Sequence, residues 1–238
     1  MKRVSIAVGL CVAAVSTASA QPSDVDVGVV VEGGRLVTGE YIDPPGTLTP
    51  GARVFGGDMD LIAGSVFGDE PGFRALAGTF PSDGTLSIQF RRALRVWSGG
   101  NFNTLSTPVL LNVQLNGGAT SVFSPPTDPA DPDTAVLSGF SFAVLGGAEL
   151  HEHGDLFLVS PGATPPPVPE GIYLAEFQLT TNVPGIDRSL PFWMVFNYGM
   201  PAEEHDAAMD YVRNTLVPAP GSCVVGAFVA WAARRRRR

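Results

Sequence analysis

Glycine and proline punctuate this chain so densely and evenly that its body has little room for long uninterrupted elements. There are 28 Gly and 21 Pro among 238 residues. Glycine weakens helix and strand interiors, and proline removes a backbone donor. Short runs rich in Val, Leu, Ile and Phe lie between them, a pattern of many short strands joined by turns. Asp24–Val31 alternates and then runs apolar, Gly33-Gly34 turns, and Arg35–Ile42 returns, so this pair is predicted as a hairpin. Leu86–Trp97 is predicted as one long strand. Val109–Leu115 and Ala119–Phe123 flank Asn116-Gly117, the strongest short hairpin signal in the chain. Val136–Leu145, Leu150–Val159, Ile172–Thr180 and Pro191–Asn197 complete the set. One helix is expected from Pro201 to Arg213. Glu203, Glu204 and Asp206 crowd its start, Arg213 closes it, and Ala208, Tyr211 and Val212 share one side. The expected fold is all-β, an antiparallel, jelly-roll-like β-sandwich with one short C-terminal helix.

Pro125–Asp133 and Pro161–Pro169 are extended, solvated connections. The first marks a sub-boundary near 125–133. Its interleaved prolines and lack of glycine argue against a calcium loop despite the spaced aspartates.

The two ends carry addresses. Residues 1–20 read as a signal peptide. Lys2 and Arg3 precede an apolar run from Ile6 to Val15, and Ala18-Ser19-Ala20 sets cleavage after Ala20. The apolar core is about ten residues, too short to span a bilayer. Residues 216–238 form the other tag. Val217, Pro218, Ala219 and Pro220 lead into an apolar run from Gly221 to Ala233. Arg234, Arg235, Arg236, Arg237 and Arg238 then suit the cytoplasmic face of a membrane. This run is marginal as a lasting transmembrane helix and adequate as a temporary hold. The body is thus expected to span 21–215.

The order of short proline motif, apolar segment and arginine cluster resembles the PEP-CTERM sorting signal. Alanine stands at Ala219 where that family often has glutamate, a variant that resembles tails of Planctomycetes-like proteins. The resemblance implies processing by signal peptidase and an exosortase-like transpeptidase. It also implies transient membrane anchorage, and a destination at the cell surface, outer envelope or extracellular matrix. It covers the tail alone.

Trimming both ends changes the charge balance. The signal holds two of the fifteen basic residues and the tail five, leaving eight against all 23 acids, a net of about −15. Such a body disfavours nucleic acid and anionic lipid as partners. Cys11 and Cys223 both fall in the end segments. The body therefore has no disulfide, thiol nucleophile or thiolate metal site.

The most site-like run is His151-Glu152-His153-Gly154-Asp155. On a strand, His151, His153 and Asp155 share one face at about 7 Å per pair. Two imidazoles and a carboxylate suit Zn, Mn, Fe or Ni. A fourth ligand is open between Glu176 and His205. Exposed polar residues at a strand entrance also account for the same run.

The stretch 150–197 also resembles domains of bacterial surface-anchored proteins. These carry a His-x-His or His-x-Asp strand, a Gly-x-Tyr strand and a Phe-rich strand. Here the matching residues are His151 to Asp155, Gly171-Ile172-Tyr173, and Pro191-Phe192-Trp193-Met194-Val195-Phe196-Asn197. The resemblance implies capture of zinc or manganese outside the cell. Tyr173, Phe177, Phe192 and Trp193 are expected in the core of any β-sandwich.

Other chemistry is missing from the sequence. Ser65 and Ser141 sit in no G-x-S-x-G elbow. Gly56-Gly57 and Gly99-Gly100 are turn pairs rather than phosphate loops. Asp58 and Asp60 share a face, but with so many acids close pairs arise by chance. The leading expectation is a non-enzymatic envelope or matrix protein of structural or interaction type. The competing expectations are a surface Zn/Mn module and a carbohydrate-binding sandwich. The last would meet extracellular polysaccharide, with Tyr41, Trp97 and Phe102 as its aromatics.

Overall fold

The structure is a computed structural model describing residues 25–81, 83–115, 118–132, 139–162 and 167–218. Its strands in chain order are β1 (Val25–Glu32), β2 (Arg35–Ile42), β3 (Thr47–Pro50), β4 (Val54–Asp58), β5 (Asp60–Ile62) and β6 (Ser65–Gly68). Next come β7 (Phe73–Ala75), β8 (Gly84–Phe90), β9 (Arg95–Val96), β10 (Thr104–Leu105), β11 (Leu110–Leu115) and β12 (Thr120–Phe123). The last are β13 (Gly139–Leu145), β14 (Leu150–Glu152), β15 (Asp155–Val159), β16 (Gly171–Thr181) and β17 (Phe192–Tyr198). One helix, α1 (Ala202–Tyr211), continues into a π-helical turn at Val212–Leu216. Among the described residues the protein is all-β with one short C-terminal helix, as expected.

The strands form three sheets. The first runs β14-β7-β1-β2-β3 and the third β12-β11-β15-β6-β5. The second runs β10-β9-β16-β17-β4, with β8 also on β16 and β13 beyond β8. Most pairs are antiparallel, but β1 with β7 and β17 with β4 are parallel. The first hairpin forms where expected, with full register from Val25↔Ile42 to Glu32↔Arg35. Gly33 and Gly34 turn it at φ 57° and 78°, angles that residues with a Cβ resist.

The central strands are buried on both faces. On β16 and β17, Tyr173, Ala175, Phe177, Phe192, Met194 and Phe196 enter the main core between the sheets. The alternate residues Ile172, Leu174, Trp193 and Val195 face the other way. There Ala208, Met209 and Val212 of the helical segment cover them. Fully burying one such large apolar side chain contributes about 1.5–3 kcal/mol, so the helix is an integral second layer.

Two expected strands are split. Leu86–Trp97 is β8 and β9, which follow one another along the same edge of β16. Between them Arg91, Ala93 and Leu94 are all buried, which breaks the alternation a strand needs. Leu150–Val159 is β14 and β15, which belong to different sheets. Strands before and after 125–133 pair with each other in all three sheets. The described residues of that stretch, 125–132, are a strap on one body. Residues 133–138, the Asn116-Gly117 turn, the signal with Ala20, and the tail from Ala219 to Arg238 lie outside the described residues. Among those described, no helix is long and apolar enough to cross a membrane.

Candidate metal centre

The outer face of the first sheet brings together Asp26, His151 and His153. One ligand atom from each lies within 4.8 Å of the others. Register explains the meeting. Arg74 on β7 lies between Gly28 on β1 and His151 on β14. Two residues away along each of the three segments, at the ends of β7 and β14, Gly72 lies between Asp26 and His153. A Cβ at Gly72 would stand 2.7 Å from Asp26 Oδ1, 2.7 Å from His153 Cε1 and 2.8 Å from His153 Nε2. The missing side chain is the space in which carboxylate and imidazole approach.

The expectation that His151 and His153 share one face holds. Their ring centroids are 4.7 Å apart and their Nε2 atoms 2.7 Å apart. His153 Nδ1 lies 3.1 Å from the Asp69 carbonyl oxygen, which can only accept. In the neutral tautomer with the proton on Nδ1, Nε2 would present a lone pair toward His151. A backbone carbonyl holding the far nitrogen is how metal-binding imidazoles are commonly oriented. In that tautomer, without a metal, His151 Nε2 would be the donor into that lone pair. With one, both Nε2 atoms can turn to the ion. Tetrahedral Zn–N bonds of about 2.0–2.1 Å would widen the pair to roughly 3.3 Å.

Asp26 supplies the carboxylate. Its side chain is 5% exposed, against 43% for His151 and 33% for His153. Gly72 N–H donates to Oδ1 at 2.9 Å and also to Glu70 Oε2 at 3.1 Å. Oδ2 faces His151 Nε2 at 3.7 Å. The same oxygen has Arg74 Nε at 3.4 Å. Arg74 binds Glu149 at 2.7 Å and Asp43 at 2.9 Å more closely, and lies on the Tyr41 ring at 4.8 Å. Burial opposes its charge, but the bond to Glu149 and the negative groups around it prevail and raise its pKa.

The remaining expected residues lie elsewhere. Asp155 opens β15 in the third sheet, paired with Gln114, because the chain changes sheet at Gly154. Glu176 is on the second sheet, bound to Arg91 and Arg92 at 3.1 Å each. His205 Nε2 meets the Val195 carbonyl oxygen at 3.0 Å beneath α1. Neither Asp155 nor Glu176 belongs to the group of three. Tyr41 and Phe102 are buried and Trp97 packs against Phe102 and Tyr211, so they form no exposed aromatic row.

Asp26, Gly72 and Arg74 complete the site without a sequence signal that marks them. The alternation of Asp24–Val31 puts Asp26 opposite the core-facing valines, yet nothing local joins it to a histidine 125 positions later. No protein-family model matches this chain, and no curated protein sequence matches it.

Proposed function

We propose that this chain is an exported, non-enzymatic cell-surface protein whose β body binds a divalent transition metal, zinc or manganese, through Asp26, His151 and His153. The observation that carries the reading is the convergence of two imidazole nitrogens and a buried carboxylate on one spot. That donor set suits borderline metals, and three protein ligands leave positions open to solvent or a partner. The strongly acidic body adds a long-range attraction for cations.

Elemental analysis and calorimetry of the body with Zn²⁺ and Mn²⁺ test it. Uptake near one ion per chain is expected, and its loss in His151→Ala/His153→Ala. No uptake, or uptake unchanged in that double variant, removes the metal reading. The resemblance of the tail to a sorting signal supports export followed by exosortase-like processing, with the membrane holding the chain only during sorting.

A further inference from the structure

We propose that Arg74 is a competing cation built into this site, so that the site takes up and gives up its ion rather than holding it permanently. The inference rests on the metal-binding reading above. Asp26 Oδ2 is shared between two claimants: Arg74 Nε at 3.4 Å and the open side toward His151 Nε2 at 3.7 Å. A metal ligated by Oδ2 would therefore sit close to a guanidinium, and like charges repel. Arg74 is not free to leave, since its side chain is only 13% exposed and stacks on Tyr41. Its bond from Nε to Asp26 is nevertheless the longest of its three ion pairs among the described residues. Glu149 takes NH1 at 2.7 Å and Asp43 takes NH2 at 2.9 Å, both shorter than the contact with Asp26. Both acids are 48% exposed and bind no histidine of the group.

The arrangement is a balance. Glu149 and Asp43 draw Arg74 aside and leave Oδ2 to the metal. Weakening that hold returns Arg74 to Asp26 and closes the carboxylate to the ion. A permanent structural site would gain nothing from a cation beside its most buried ligand. An acquisition site that must release its ion would gain a lower, adjustable affinity. The exposed histidines point the same way, because they leave the ion accessible from solvent.

Zn²⁺ titration of the purified body, followed by calorimetry, tests this with changes of opposite sign. Arg74→Gln is expected to tighten binding about tenfold, the scale of removing one nearby unit charge. Arg74→Lys, which keeps the charge, is expected to stay near wild type. Asp43→Asn/Glu149→Gln is expected to weaken binding. The same pair of changes made with Arg74→Gln is expected to have little effect, because the acids act through Arg74. Equal or weaker binding in a folded Arg74→Gln protein overturns the inference. So does an undiminished effect of the acid changes when Arg74 is absent, and, should Arg74→Gln not fold, equal or tighter binding in Asp43→Asn/Glu149→Gln overturns it instead. A wild-type body that takes up no zinc instead overturns the metal reading itself.

Discussion

Gly72 shows how much of the site rests on a side chain that is not there. Its N–H bridges Asp26 and Glu70, and its carbonyl accepts from Val27 N at 2.8 Å. No left-handed backbone demands glycine here; the close approach of Asp26 and His153 does. Gly72→Ala is therefore expected to displace the His153 ring, abolish measurable zinc uptake, and destabilise the body by about 1–3 kcal/mol through overpacking. Calorimetry with a urea unfolding curve separates the two effects. Retained zinc affinity would show that the ring has another place to go. At this scale the sequence made half the site legible. His151 and His153 are two residues apart, and strand geometry alone puts them on one face. Asp26 was illegible because its partnership depends on β7 entering between β1 and β14, a tertiary event with no local signal.

At the scale of elements, length and pairing decided what could be read. The hairpin of β1 and β2 follows from alternation and two glycines. The strands β16 and β17 follow from apolar runs that are continuous because both faces are covered. The helical stripe was also legible: Ala208 and Val212 are buried, and Tyr211 packs on Trp97 and Phe102. Short strands such as β5 and β7, with three residues each, carry too little pattern to be seen. Glu176 shows the reverse error, a carboxylate read as a ligand that β16 commits to Arg91 and Arg92. The strand β16 also fixes the connection before it. Tyr173 Oη donates to the Pro169 carbonyl oxygen at 2.7 Å. Burial, with a smaller contribution from Tyr198, pushes the Tyr173 phenol up to about 12. An acid whose folded pKa is raised adds stability that is whole below its unfolded value, about 10. That stability is lost as pH climbs from there through about 12. Tyr173→Phe is expected to cost about 1 kcal/mol at neutral pH for the lost hydrogen bond. Urea unfolding between pH 8 and 12 checks the rest: the wild-type advantage is expected to shrink across that window. An advantage that is constant with pH would show that the phenol does not titrate with unfolding.

The whole molecule raises the question of where the body ends. Composition places the boundary at residue 216, where the apolar tail begins. Packing moves it. The π-helical turn runs through Leu216, Val217 N–H donates to the Val212 carbonyl oxygen at 3.2 Å, and both residues are half-buried against the cluster beneath α1. A hydrophobic pattern cannot distinguish apolar residues that cover a sheet from apolar residues that enter a membrane, because both are excluded from water. The distinction predicts opposite results for two truncations. Ending the chain after Pro218 is expected to leave the unfolding midpoint of the body unchanged, and to abolish sorting if the tail is the address. Ending it after Tyr211 removes Val212, which is fully buried, and uncovers part of Ile172, Leu174, Trp193 and Val195. That protein is expected to lose about 2–5 kcal/mol, the range for deleting a large apolar group from a core. Equal stability of the two truncations would mean that the last helical turn is ornament to the body. A difference confines any sorting experiment to deletions beyond Pro218, since a shorter chain would be mislocalised through misfolding alone.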